Sequence, residues 1–258
     1  MFSNNTSRIN NGTLKRFTLT ILSVMGIFLV SWPTLTHGLD SHHDGLVITT
    51  IEMTKSALLR DGDLPFNQYG PFWSFVYAIL CQPFSTSEIL IVARVITLTL
   101  YILTFFTLYK ISTLLKVKYL WPTTLIILLL TQPWTTGNGT TFLAWPSALS
   151  TFLLTLATFY MVNILLDISA AKNSFYLAFV SSLVVFTRFQ IGVVLLAISL
   201  AFFVAARNFR MLVTYICGSL ITIGLFCCLL TYKRWFGYFI FDNIQYAATY
   251  LQDEYAVN

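Results

Sequence analysis

An all-α, polytopic membrane protein with about seven transmembrane helices is the fold class this sequence predicts. Three observations predict it. Of 258 residues, 57% are hydrophobic and only 10% are charged, against about 25% charged in an average soluble domain. Aromatic residues reach 16% of the chain. Apolar runs approaching the roughly 20 residues needed to cross a bilayer recur along its length. A soluble globule of this size cannot bury so much apolar surface. Disorder, a coiled coil and a disulfide scaffold fail on the same composition. Cys81, Cys217, Cys227 and Cys228 lie in or at the end of apolar runs, without metal-ligand spacing, and read as small apolar filler. The net charge of +5 does not imply nucleic acid, because basic residues collect on the cytoplasmic side of membrane proteins.

Residues 1–16 read as a disordered cytoplasmic tail. Thr18 to Trp32 is the first span, ended by Pro33. No small-x-small cleavage site follows, so it is retained as an anchor. Lys15 and Arg16 precede it and place the N-terminus inside. Residues 37–87 form the first extracytoplasmic loop. In its middle, Gly45 to Arg60, Val47, Ile48, Ile51, Leu58 and Leu59 fall at helical spacing, which predicts an amphipathic helix lying in the interface plane. Lys55 intrudes on that face and has the length to snorkel. Asp61-Gly62-Asp63 then turns the chain. Pro71 to Phe84 is apolar but short and holds a proline near each end, which suits an interfacial or re-entrant segment. The other expected spans are Glu88 to Tyr109, Leu120 to Trp134, Phe142 to Leu166, Phe175 to Thr187, Ile191 to Ala206 and Met211 to Tyr232. The pair flanking Arg188 is short; a kinked pair and two tilted helices both fit. Residues 233–258 begin another outer loop.

Charge supports this count. With Pro71 to Phe84 not crossing, Lys110, Lys116, Lys118, Lys172, Arg207 and Arg210 join Arg8, Lys15 and Arg16 inside, together with one acid, Asp167. The other carboxylates face out, most of them in the first loop. The predicted location is the inner (plasma) membrane, with the N-terminus cytoplasmic and the chemistry extracytoplasmic.

Asp44 opens the amphipathic helix. It reads either as an N-cap or as a carboxylate held just above the membrane, beside a lipid phosphate. His42-His43-Asp44 invites a metal, but adjacent histidines in an extended segment point apart and no second His/Cys cluster completes a transition-metal site. A divalent cation on Asp40 and Asp44 is the better metal reading, since hard cations take oxygen ligands. Tyr69-Gly70-Pro71-Phe72-Trp73 reads as an aromatic anchor at headgroup level. Arginines within apolar segments are costly and usually face a cavity or partner. Arg94 lies close enough to the outer end to snorkel. Arg188, apolar on both sides, is placed to grip a phosphate bidentately. Asn138, in Asn-Gly-Thr, reads as a turn.

These features in order resemble the N-terminal module of GT-C glycosyltransferases, polytopic enzymes that use polyprenyl-phosphate sugars, such as protein mannosyltransferases and aminoarabinose transferases. The resemblance rests on His43-Asp44-Gly45, on Leu-Leu-Arg-Asp-Gly-Asp-Leu-Pro-Phe from Leu58 to Phe66, on Gln68-Tyr69-Gly70-Pro71, and on Ala93-Arg94-Val95. It covers roughly residues 17–232. It implies seven spans, an active site in the first extracytoplasmic loop, Asp44 as catalytic base, and His43, Tyr69, Arg94 and Arg188 toward the donor. It implies a polyprenyl-phosphate-sugar donor, an acceptor hydroxyl and inversion at the anomeric carbon. The cofactor reading stays open between none and a divalent cation. Two features depart from the family: Gly45 replaces the acid that often follows the catalytic one, and the family usually continues beyond the loop in which Asn258 falls. A fragment, a split gene product and a degenerate copy are all open. The rival readings are a noncatalytic lipid-binding or assembly subunit and a transporter. The spans offer few polar residues for a transport path and show no inverted repeat.

Overall fold

A computed structural model describes residues 43–60, 62–65, 70–117 and 146–245. Among these the chain is helical, without strands. The expected spans at Thr18 to Trp32 and Leu120 to Trp134 lie outside the described residues, as do Asp40, Asp61, Tyr69 and Asn138.

Helix α1 is His43–Leu59, α2 is Phe72–Leu80 and α3 is Thr86–Leu114. They are followed by α4 (Pro146–Leu165), α5 (Ala170–Thr187), α6 (Phe189–Ala205), α7 (Phe209–Tyr232) and the short α8 (Phe236–Ile240), which runs into a π-helical turn at Phe241–Gln245. Four of these, α3, α4, α5 and α7, are long and apolar enough to cross a membrane, and α6 is a shorter apolar helix. The nine residues of α2 rise about 13 Å, under half the hydrocarbon thickness. Length alone therefore prevents it from crossing.

The bundle is built around α5. Phe186 meets Phe226 with ring centroids 4.2 Å apart, and Gly218 of α7 approaches Ala178 of α5. Eight residues later on both helices the contact repeats, so α5 and α7 run parallel. α4 runs antiparallel to α5: Tyr160 packs on Tyr176 at one level, and Ser147 meets Arg188 at another. α5 and α6 are two helices, not one kinked rod. Arg188 alone separates them, in extended conformation (φ −147°, ψ 95°). Gly192 then lies against the Val185 backbone, as the small residue that lets the two helices approach this closely.

One end of the bundle carries α1, α2, the starts of α3 and α4, the α5–α6 break and α8. The opposite end carries Lys110, Lys116, Lys172, Arg207 and Arg210, and Asp167 is the acid found there among the described residues. At that end α3 and α4 close in Schellman motifs with Lys116 (φ 56°) and Asp167 (φ 55°) in the left-handed position.

The face that α1 buries differs from the expected one. Val47, Thr50, Ile51, Thr54 and Ala57 are buried, whereas Leu59 is 68% exposed. The threonine hydroxyls donate back to the Leu46 and Thr50 carbonyls at 2.9 and 2.7 Å, so these residues enter the core with their polar atoms satisfied. Lys55 Nζ donates to the Phe84 carbonyl at 2.7 Å and lies 3.9 Å from Glu52, tying α1 to the turn before α3.

Candidate functional site

The site lies at the end of the bundle where the first loop, the α5–α6 break and the end of α7 meet. Its floor is aromatic. Phe75, Phe186, Trp235 and Phe239 form a buried cluster with Ala57, Leu64 and Leu230, and Phe226 stacks on Phe75 at 5.6 Å. Gly70 crosses directly over the end of α5. A Cβ there would stand 2.4 Å from the Phe186 carbonyl oxygen, and its φ of +116° is glycine territory.

Above this floor, residues 233–238 are fastened to residues 57–63. The Lys233 ammonium donates to the Leu58 carbonyl at 3.2 Å and the Ala57 carbonyl at 3.5 Å. These are C-terminal carbonyls of α1, where a cation complements the helix dipole. Trp235 Nε1 donates to the Gly62 carbonyl at 2.8 Å, and Lys233 lies 5.7 Å from the Trp235 ring centroid. The Tyr238 hydroxyl donates to Asp63 Oδ1 at 2.9 Å. The carboxylate beside it raises the Tyr238 phenol above its ordinary pKa. A cavity of about 420 Å³ opens between the two segments, lined by Gly62, Asp63, Tyr232, Lys233, Arg234 and Trp235. That is large enough for a small ligand. Arg234 takes φ 61° as α7 ends in a third Schellman motif.

Arg188 sits at the same end, half-buried, with Nη2 donating to Ser147 Oγ at 2.8 Å. It does not line the cavity. Gly70 over Phe186 and Thr187 brings the first loop to within two residues of it in sequence. Arg94 is 1% exposed, enclosed by the bundle, one of the two readings open for it, and not snorkelled to headgroups. Below it Tyr77 of α2 and Thr97 of α3 share a buried hydrogen bond of 2.8 Å. Asp44 falls on the described part of α1, His43–Leu59, with helical backbone. The side chains of His43 and Asp44, like Asp40 and Tyr69, lie outside what the structure describes. Among the described residues no group of three His, Cys, Asp or Glu side chains is arranged to hold a metal.

Sequence reasoning missed the part played by Lys233, Arg234 and Trp235, and a buried carboxylate, Asp242, in the π-helical turn. Lys-Arg-Trp after a span looks like an ordinary interfacial flank. Only the three-dimensional return of α7 to the acidic turn, across about 175 residues of chain, gives it a site. Comparison with protein-family models, with curated proteins and with solved structures finds no significant match to this chain.

Proposed function

We propose that this chain is a membrane glycosyltransferase that moves a sugar from a polyprenyl-phosphate donor to an acceptor hydroxyl at the extracytoplasmic face. The observation that carries the reading is the position of Arg188. An arginine interrupts an apolar helical hairpin at the bundle end that also collects the acidic first loop. A guanidinium is the side chain best shaped to hold a phosphate at two points. The donor phosphate is a good leaving group, so the protein has three tasks: deprotonate the acceptor, neutralise charge growing on the phosphate, and align the two. In this reading Asp44 is the base and Arg188 the phosphate ligand, with His43, Tyr69 and Arg94 shaping the donor site. The seven-span count, the outward orientation, the inner-membrane location and the GT-C likeness belong to the same proposal. A divalent cation on Asp40 and Asp44 is its variant.

The test is donor binding by the purified protein. Arg188→Ala should weaken binding of a short-chain polyprenyl-phosphate sugar, and Arg188→Lys should restore it only in part, because a point charge lacks the fork. Unchanged affinity in a folded Arg188→Ala protein refutes the assignment.

A second reading, a noncatalytic lipid-binding or assembly subunit, draws on the breadth of apolar surface on α6 and α7, including Val194, Ile198, Leu220, Ile221 and Leu225. Donor binding without any transfer by the assembled protein would favour it.

A further inference from the structure

The cavity between the acidic turn and the end of α7 carries opposite charges that do not meet. Asp63 and Arg234 both line it. Asp63 is engaged through Oδ1 by the Tyr238 hydroxyl, which leaves Oδ2 for a ligand. No ion pair joins Asp63 to Arg234 among the described residues, and the exposed Arg234 guanidinium makes no hydrogen bond there. The third charge, Lys233, is turned toward the α1 carbonyls. Those carbonyls carry about half a negative charge at the helix end, which offsets it. A bare anion would meet the Asp63 carboxylate and a bare cation would meet Arg234, so neither suits the cavity alone. A ligand with a phosphate and an ammonium a few bonds apart satisfies both. The cavity also sits where α7, long and apolar enough to cross a membrane, ends. That is the level of lipid headgroups.

We propose that this cavity binds a phosphate–ammonium group of the phosphoethanolamine type, with Arg234 on the phosphate and Asp63 on the ammonium. The group can arrive as a zwitterionic lipid headgroup or as free phosphoethanolamine. A primary ammonium donates N–H to Asp63, and a trimethylated one cannot. The site is separate from Arg188 and does not depend on glycosyl transfer.

Two substitutions remove the contacts while respecting the fold. Asp63→Asn keeps an oxygen to accept from Tyr238. Arg234→Gly suits the left-handed backbone at that position (φ 61°), and Arg234→Gln serves as a second variant that keeps a polar side chain without the charge. Delipidated protein is titrated with phosphatidylethanolamine, phosphatidylglycerol, phosphatidylcholine and free O-phosphoethanolamine, and complexes are counted by native mass spectrometry. The expected result is phosphatidylethanolamine bound at least about tenfold more tightly than the other two lipids, as charge-assisted pairing at both ends requires. Asp63→Asn should erase the advantage over phosphatidylglycerol, and both Arg234 variants should weaken the two lipids alike. Free phosphoethanolamine binding with the same residue dependence assigns the soluble source, and binding of the lipid alone assigns the membrane. Equal retention of all three lipids, or an unchanged preference in folded Asp63→Asn protein, overturns the proposal. None of these readouts involves donor or turnover, so they stand or fall apart from the Arg188 test.

Discussion

Replacing Gly192 by alanine tests the α5–α6 hairpin that presents Arg188. A Cβ at Gly192 would stand 2.2 Å from the Val185 nitrogen and 2.3 Å from its Cα. Ordinary contacts begin at 3.4 Å, so the two helices must part by about 1.2 Å, and the obstacle is backbone that no rotamer change can move aside. Overpacking of this kind costs about 1–3 kcal/mol, and a backbone clash belongs at the upper end. Alanine in a helix interior returns about 1 kcal/mol of propensity. Gly224 of α7 is the control: its Cβ would meet nothing within 4 Å, so Gly224→Ala keeps the gain without the clash. The two variants should therefore differ by about 3 kcal/mol, on the order of 6–12 °C in Tm. The buried Cys81 thiol reports unfolding, in a background where Cys217, Cys227 and Cys228 are alanine. Burial pushes this thiol up to about 11, so near pH 8 it reacts with a dye only after unfolding, because the thiolate is the reactive form. Equal melting of the Gly192→Ala and Gly224→Ala proteins would refute the close hairpin.

Three further outcomes follow from the same geometry. Tyr77→Phe should cost only about 1 kcal/mol by the same thiol assay, because Thr97 keeps its bond to the Ala93 carbonyl when it loses Tyr77; a loss several times larger would mean that the pair supports more than itself. Cys81 is neutral in the fold and its pKa is raised from 9.0 to about 11, so its contribution is complete below pH 9 and is lost as pH rises toward 11. Melting followed by circular dichroism should show this decline above pH 9, and Cys81→Ala should remove the part between 9 and 10, below the ordinary range of tyrosine. Lys233→Gln removes the cation at the end of α1 and should lower stability by about 0.3–1 kcal/mol, less at high salt; loss of the whole fold would contradict so local a role.

The sequence shows most where one physical constraint dominates. Apolar runs locate α3, α4 and α7 because lipid tolerates little else, and the length of Pro71 to Phe84 suits an interfacial or re-entrant segment better than a span, in keeping with the nine-residue α2. The interruption at Arg188 is legible as well, but the sequence leaves a kinked pair and two helices both open, and the extended backbone at Arg188 decides for two. The buried face of α1 is not legible, because Thr50 and Thr54 satisfy their own hydroxyls and bury like apolar residues. Apolar counting therefore put Leu59 on the wrong side. The surroundings of Lys55 and Arg94 are not legible for a related reason. Snorkelling assumes an open path to headgroups, whereas the Phe84 carbonyl and the enclosing bundle are tertiary facts. The union of Gly62 and Asp63 with Lys233 and Tyr238 depends on how α7 ends, and no local pattern records it.

The most direct test of the proposed chemistry is turnover by Asp44→Asn protein in the assembled enzyme, reconstituted with a polyprenyl-phosphate sugar. Asparagine keeps the size of the side chain and removes the base. Sugar transfer should fall at least about 100-fold, the usual contribution of a general base, with donor affinity unchanged. Near-normal transfer by Asp44→Asn, together with loss of α1 in Asp44→Ala, would contradict the catalytic assignment and leave Asp44 as a residue that stabilises the start of its helix.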